Sequence, residues 1–556
     1  MSPPQNQKKR QQRIISSMLW AAWADSAGFI SELTDESGLN RRLKGRPLIE
    51  PVEWVRRVGG KFGVDITLPA GCYSDDTQLR LATARAISGH GFDVEAFARV
   101  ELAVWPAYAL GGGRASKAAA ANLAKPNTPW FGNFFDGWKD AGGNGVAMRI
   151  QPHVWSAQSP ASLGPHLLDV IVNGTTTHGH PRALVGAVLH AVALGVAIDS
   201  GVVPKLTDLP ELLNVVYKAV GLIDGHPQLA SLWRPSWEKA TGRPFAEAWH
   251  ATVDECRELL TTTQRVTGSA DSPEAMYERL IAALNLTDPA QRGSGTTTTI
   301  AALALAAALP SDPAAVSLLA ARALRTDTDT IATMAAALVG VSDDMAAPTP
   351  LLDAAYLRNE AIRLATISMN GATQTFSYPD LLHWSPPRSQ LEAVGVAADH
   401  VALSGLAWLE PIQGLDPVEG KDGVWQWVSS DFGPSFLVKR RQQVRQLPEG
   451  NWPARRNQVV DPSDASRQRS REYDPAIMSR GQDRRGQSTD QLQGRARSRM
   501  HDERFPLDID QIIEWVAKQG FQNDALGYAV RRIAQQGTVE QLVAFTAAVR
   551  ESIRRR

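Results

Sequence analysis

Runs rich in Ala, Leu and Val recur through residues 14–375 with helical spacing, and little of this segment alternates as a strand would. The clearest runs are 79–87, 182–198, 210–223, 299–309 and 314–324, each set off by Gly, Pro or Asn punctuation. The pattern predicts one large all-α domain over 14–375. It changes after residue 376. Segments 401–410, 423–429 and 435–440 are short, aromatic or β-branched, and bounded by Gly, Pro and Asp. They predict a small β module of about three strands over 376–440, with Trp408, Trp425 and Trp427 as its core. Residues 441–505 are rich in Arg, Gln, Ser and Asp and carry too little apolar surface to fold alone, which predicts a disordered linker. Order is expected to resume at Pro506. Segments 508–519, 524–535 and 538–555 each open on an Asp or Thr cap, and the first two stop near Gly520 and Gly537. They predict a three-helix C-terminal bundle over 506–556, more suited to an adaptor than to a catalyst. The polar, basic residues 1–13 are expected to be disordered.

Composition narrows the function classes. The chain carries 58 Lys and Arg against 58 Asp and Glu, so net charge gives no global argument for nucleic acid or membrane. Arginine outnumbers acid within 441–505, which fits weak contact with a polyanion. Two cysteines, Cys72 and Cys256, exclude a disulfide framework and a multi-cysteine zinc site. A reducing, cytoplasmic setting is the expectation. The apolar stretch 14–30 is interrupted by Asp25 and is too short and polar for a membrane span, so no membrane partner is expected. It reads as a buried helix carrying one functional acid.

The candidate chemistry lies in two short clusters, Ser74-Asp75-Asp76-Thr77 and Asp327-Thr328-Asp329-Thr330, each followed by an alanine-rich helical run. Acids favour helix N-termini on their own account, so each cluster alone is compatible with a well-capped helix. Brought together, their carboxylates would repel unless a cation stood between them. The donor set is all oxygen, which suits Mg²⁺, Mn²⁺ or Ca²⁺ rather than zinc. Gly111-Gly112-Gly113 lacks the spacing of a phosphate loop and reads as a flexible connection. Cys72 reads as a packing cysteine, and Ser342-Asp343-Asp344 as a helix exit and loop.

Four ordered blocks resemble the ADP-ribosylglycohydrolase family of the dinitrogenase-reductase-activating type. Asp25, Gly28 and Glu32 fall on its G-D-A-x-G-x-x-x-E pattern, and Ser74 to Gln78 resembles T-D-D-T-Q. Gly143 to Arg149 resembles G-N-G-A-A-M-R, followed by Thr177-His178, and Asp327 to Ala332 resembles D-T-D-T-I-A. The chain departs from the pattern at Ser16, Trp20 and Ala24, and at Arg325-Thr326, where the family has Gly-Gly. The resemblance implies a large orthogonal all-α domain that hydrolyses an ADP-ribosylated substrate. It implies two Mg²⁺ ions, or Mn²⁺, held by Ser74, Asp75, Asp76, Asp327, Asp329 and Thr330. Glu32, Asp75 and Asp329 would be the catalytic acids. Gly143, Asn144, Gly145, Met148 and His178 would line the ADP-ribose cleft.

Cleavage at the anomeric carbon of ADP-ribose develops oxocarbenium character, and either Glu32 or Asp25 is placed to accept the proton of the attacking water. Glu32 is the preferred base or gate, with Asp25 left between that role and a structural one. The competing reading is a non-catalytic ADP-ribose-binding scaffold that recruits a protein partner through the C-terminal modules. A defence factor that reverses a toxin's modification would share the same chemistry.

Overall fold

A computed structural model of the chain describes residues 3–60, 62–125, 128–268, 272–454 and 508–554. Two compact units, Met1–Pro453 and Ala454–Arg556, divide it. Helices dominate both, as the periodicity predicts.

Helix α1 (Pro3–Ser31) runs through the core of the first unit, burying Ile14, Met18, Leu19, Ala22 and Ala24. It lies antiparallel to the helix Thr328–Val339, and small residues on both faces let the backbones approach closely. Three hydroxyl-to-carbonyl bonds join the pair. Ser17 Oγ donates to Ala337 O at 2.6 Å, Thr333 Oγ1 to Ala21 O at 2.6 Å, and Thr328 Oγ1 to Gly28 O at 2.9 Å. This pairing brings the start of the later helix beside the C-terminal half of α1. The helix Pro181–Ser200 is apolar and long enough to cross a membrane, but most of it is buried inside the unit as a core helix.

The N-terminus differs from expectation. Residues 3–13 are the first turns of α1 rather than a disordered arm. Their basic side chains have acidic and carbonyl partners: Lys9 Nζ lies 2.6 Å and Arg13 Nε 2.7 Å from Asp343, and Arg13 donates to the carbonyls of Ile198 and Asp199 at 2.9 Å. Cations at a helix C-terminus, here that of Pro181–Ser200, are favoured by its partial negative charge. Asp343 is thus a tether for α1 as well as part of a loop.

Helix α2 (Glu36–Arg42) is followed by an antiparallel hairpin, β1 (Trp54–Val58) and β2 (Val64–Leu68), which the helical reading of 14–375 did not foresee. Its signal was nonetheless present, because β1 alternates around a Gly59-Gly60 turn. Trp54, Ile66 and Leu68 pack with Phe29, Ile30, Leu43 and Leu48, and with Trp425, Trp427 and Leu437 of the later sheet.

That sheet has six antiparallel strands among the described residues: Val394–Ala397, His400–Leu403, Ala407–Pro411, Val418–Gly420, Gly423–Ser430 and Ser435–Arg440. Trp425 and Trp427 are buried, while Trp408 is only partly so. The sheet shares its core with the helices rather than standing apart, and Trp384 Nε1 donates to Arg99 O at 2.9 Å. Asp353 ties it to the acidic region: its carboxylate accepts from Tyr73 Oη at 2.8 Å and from Ser435 N at 2.9 Å. Ordered pairing also continues past residue 441, with Val396 and Leu447 bonded at 2.8 Å. Most of the expected 441–505 linker lies outside the described residues.

Arg85 and Glu101 form a fully buried pair at 2.7 and 2.8 Å, and Tyr378 Oη donates to the same carboxylate at 2.8 Å. Removing one partner strands the other charge, so Glu101→Ala is expected to cost about 3–5 kcal/mol. A urea unfolding midpoint checks this.

The second unit contains the helices Ile509–Lys518, Asn523–Gln536 and Val539–Arg554. Asp508 caps the first through Gln511 N at 3.1 Å, and Val516, Ala529, Ile533, Phe545 and Val549 form the core.

Candidate functional site

Two helix N-termini meet the end of α1. Ser74 caps helix α3 (Asp75–Arg85), its hydroxyl accepting from Asp76 N at 3.2 Å. Asp327 occupies the cap position of Thr328–Val339, and Asp329 lies in that helix's first turn. Gly28 permits the approach. A Cβ there would lie 2.4 Å from both Asp329 Cα and Thr328 O, inside backbone rather than a movable side chain. Asp25 is fully buried, and its carboxylate accepts from Ser74 N at 3.1 Å and Thr77 N at 2.9 Å. Of its two open roles, the geometry shows the structural one: Asp25 caps α3 from outside.

Asp25, Glu32, Asp75, Asp76, Asp327 and Asp329 therefore share one field. Burial is the largest cause of the raised Asp329 carboxyl pKa, and the charges of Glu32, Asp76, Asp327 and Asp25 push the same way. Asp76 is likewise held well above the usual carboxylate range by burial, then by Asp25, Asp75 and Asp327, against the opposing Arg80. Asp75 is pushed up to about 8 by burial, Glu32 and Asp25, with Lys117 and the Gly112 N–H acting against the rise. Asp76 Oδ2 is buried without a hydrogen-bond partner. A buried acceptor left unpaired is costly, and a hard cation is the partner that this all-oxygen surrounding suits. Among the described residues the acids are neighbours without forming a ready-made ligand cage. Ser74 and Thr330 add buried hydroxyls at the same helix starts, and Thr330 N donates to Asp329 Oδ1 at 3.0 Å.

Residues 143–149 reach this cluster through Asn144. Asn144 Nδ2 donates to Asp327 Oδ2 at 2.8 Å and to Thr298 Oγ1 at 3.1 Å, and Asn144 N donates to Gly293 O at 2.9 Å. Met148 is buried, and its carbonyl accepts from Arg80 at 2.8 Å. His178 packs behind the loop, near Gly143 and Gly145, rather than against the acids. Burial and the Arg149 charge pull its pKa down to about 3, so the imidazole is neutral. Glu32 is not free: its Oε2 accepts from Arg56 of β1 at 3.2 Å. Burial raises its pKa, Arg56 opposes, and Asp327 adds to the rise.

Several contributors were missed by sequence reasoning. Arg80 is buried and links Thr77, Met148, Gln151 and Thr333, bracing α3, the 143–149 loop and the helix Thr328–Val339. A lone arginine between Leu79 and Leu81 was its signal. The triple-glycine segment is part of the site rather than a flexible connection. Gly111 has φ +118°, and a Cβ there would lie 2.3 Å from Asp75 Oδ1. Gln78 Oε1 fixes the segment by accepting from Leu110 N at 3.1 Å. Cys72 is buried, and its thiol pKa is raised well above normal by burial, as a packing residue's would be.

The protein-family model described as ADP-ribosylglycohydrolase matches residues 6–370. One similar solved structure is an "ADP-ribosylglycohydrolase-related protein complex", at 20% identity and TM-score 0.39, covering 65% of this chain and 100% of that one. No curated protein matches the chain.

Proposed function

The chain belongs to the ADP-ribosylglycohydrolase family, and on that premise we propose a Mg²⁺-dependent hydrolase that frees ADP-ribose from a modified acceptor. The observation that carries this reading is the orphaned Asp76 Oδ2, buried in the field of Asp25, Asp75 and Asp327 beside the Asp329 helix start. Two Mg²⁺ ions, or Mn²⁺, would be held by Ser74, Asp75, Asp76, Asp327, Asp329 and Thr330. When bound, such ions supply Lewis acidity toward the ribose hydroxyls and a water of lowered pKa.

The chain's own residues do the rest. Asp25 and Gly28 fix the two helix starts at their close approach. Asn144 holds Asp327, and the 143–149 loop, backed by His178, lines the ADP-ribose cleft. Glu32 accepts the proton of the attacking water while Arg56 steadies its carboxylate. Water oxygen bonds to the anomeric carbon, the bond from that carbon to the acceptor breaks, and the proton taken up by Glu32 is passed on to the departing acceptor atom. The C-terminal bundle serves as an adaptor for a protein partner.

The test incubates the full chain and Mg²⁺ with ADP-ribosylated arginine, serine and nucleic-acid substrates and follows free ADP-ribose. Release from at least one substrate is expected. Tight ADP-ribose binding without any release would establish the non-catalytic scaffold instead.

Asp75 makes the stability of the metal-free protein depend on pH. Its folded pKa of about 8 lies above the ordinary 3.8, so the folded state holds the proton more tightly than the unfolded one. Stability of chelator-treated protein therefore falls as pH rises through that interval. Thermal midpoints in chelator should be lower at pH ~8 than at pH ~6, with Mg²⁺ reversing the loss. A flat profile in chelator contradicts the placement of Asp75.

A further inference from the structure

Two openings flank the turn at residues 33–35, and Thr34 lines both. The larger, of about 450 Å³, lies between α2 and the β1–β2 hairpin. Its lining includes Arg41, Arg42, Lys44, Arg56 and Arg57, with Asp65 as its acid. The other, of about 390 Å³, is lined by Arg292 and Arg325 together with Asp35. Arginine thus lines an opening on each side of one turn, and Arg56 reaches the edge of the acidic cluster through Glu32. We propose that this rim binds the phosphodiester backbone of a nucleic-acid strand, and that the acceptor carrying ADP-ribose is such a strand. The acceptor assignment rests on the hydrolase reading; the binding assignment does not.

Arg41, Lys44 and Arg57, the outer rim cations, are poorly neutralised, whereas Arg56 pairs with Glu32. Arg41 donates to the Ser37 hydroxyl rather than to a carboxylate. Arg57 lies 3.4 Å from Asp65 and Lys44 4.0 Å from Glu53, all four well exposed, and such pairs are weak. Arg42 and Arg56 are held in place from behind. Arg42 lies 4.8 Å from the centre of the Trp54 ring and donates to the carbonyls of Ile30 and Glu32. Arg56 lies 4.2 Å from the centre of the Phe29 ring. Planar guanidinium groups fixed in this way suit phosphate, because little side-chain freedom is lost on binding. Burial and the adjacent Arg56 pull the Arg42 pKa down to about 10, a crowding of like charges that an anion relieves.

Arg325 adds an independent observation. Its φ is +71°, a left-handed conformation costly for a side chain with a Cβ. The chain retains that strain at a position where it places a cation in the smaller opening. Glu32 joins the rim to the centre, since it pairs with Arg56 and senses Asp327. A polyanion crossing the rim is therefore drawn to the acidic centre's edge, whereas an arginine-rich peptide acceptor is repelled there.

The experiment uses the full chain, so the 441–505 segment is the same in every sample. Anisotropy of a labelled single-stranded oligonucleotide of about 12 nucleotides is measured against salt for wild type, Arg41→Ala/Arg57→Ala and Arg325→Gly. The double variant is expected to bind at least tenfold more weakly, with a log–log salt slope shallower by about 1.4, or 0.7 per lost contact. Arg325→Gly removes backbone strain, so it should fold at least as well as wild type while binding the strand more weakly. Hydrolysis is compared on an ADP-ribosylated oligonucleotide and a small ADP-ribosyl-arginine conjugate. The double variant should lose kcat/KM on the former and keep it on the latter. Unchanged strand binding in both variants overturns the binding assignment. Preference for a basic peptide over the strand overturns the acceptor. Groove-dependent strand binding with no release from any substrate leaves the rim assignment standing and overturns the hydrolase reading alone.

Discussion

Asp76→Asn should abolish Mg²⁺-dependent release of ADP-ribose, lowering kcat/KM by about 10³-fold or more, roughly 4 kcal/mol of lost transition-state stabilisation. Asparagine keeps the shape of the side chain and removes its charge. Asp76 is buried at the start of α3, its Oδ2 has no partner, and Asp25, Asp75 and Asp327 all oppose its ionisation. A side chain kept in that position for packing alone would be better as an amide. In chelator, the variant should therefore melt no lower than wild type, because one repelling charge has gone. The combined result, lost activity with undiminished metal-free stability, separates a cation-holding role from a structural one. Steady-state kinetics and thermal melts in chelator check it. Retained activity would remove Asp76 from the site.

Gly28→Ala is expected to damage stability and activity together. The added methyl meets Asp329 Cα and Thr328 O at 2.4 Å, so α1 and the helix Thr328–Val339 must separate. Overpacking of this kind costs about 1–3 kcal/mol, and more where backbone is the obstacle. Separation also strains the Thr328 bond to the Gly28 carbonyl and moves Asp327 and Asp329 away from Asp75 and Asp76. Release of ADP-ribose should fall at least tenfold even under conditions where the variant remains folded. Urea midpoints and single-temperature kinetics measure the two effects separately. A variant with wild-type midpoint and rate would contradict the close approach of the helices.

Much of this site was legible in the chain because its chemistry is carried by short local patterns. Ser74 to Gln78 and Asp327 to Ala332 each set acids on a helix start, and the family resemblance pairs them. The helical core was legible for a similar reason, since the Ala- and Leu-rich runs repeat at helical spacing. Residues whose roles depend on distant partners were harder to read. Arg80 becomes a brace only when α3, the 143–149 loop and the helix Thr328–Val339 are brought together. The basic residues before Ile14 looked disordered because Asp343 and the Ile198 and Asp199 carbonyls lie far away in sequence. The Trp54–Leu68 hairpin carried a local signal, but a pattern dominated by helices obscured it. Its consequence for chemistry, the Arg56 contact to Glu32, was visible only in three dimensions.

Calorimetric titration of Mg²⁺ into chelator-treated full chain, for wild type and Asp329→Asn, decides whether the two acidic helix starts act as one divalent-cation site. Two ions should bind per wild-type chain, and the variant should lose more affinity than the roughly 10–100-fold that removal of an outer partner causes. Wild type that binds no Mg²⁺, or a variant that binds it as wild type does, would rule out a shared cation site at these helix starts.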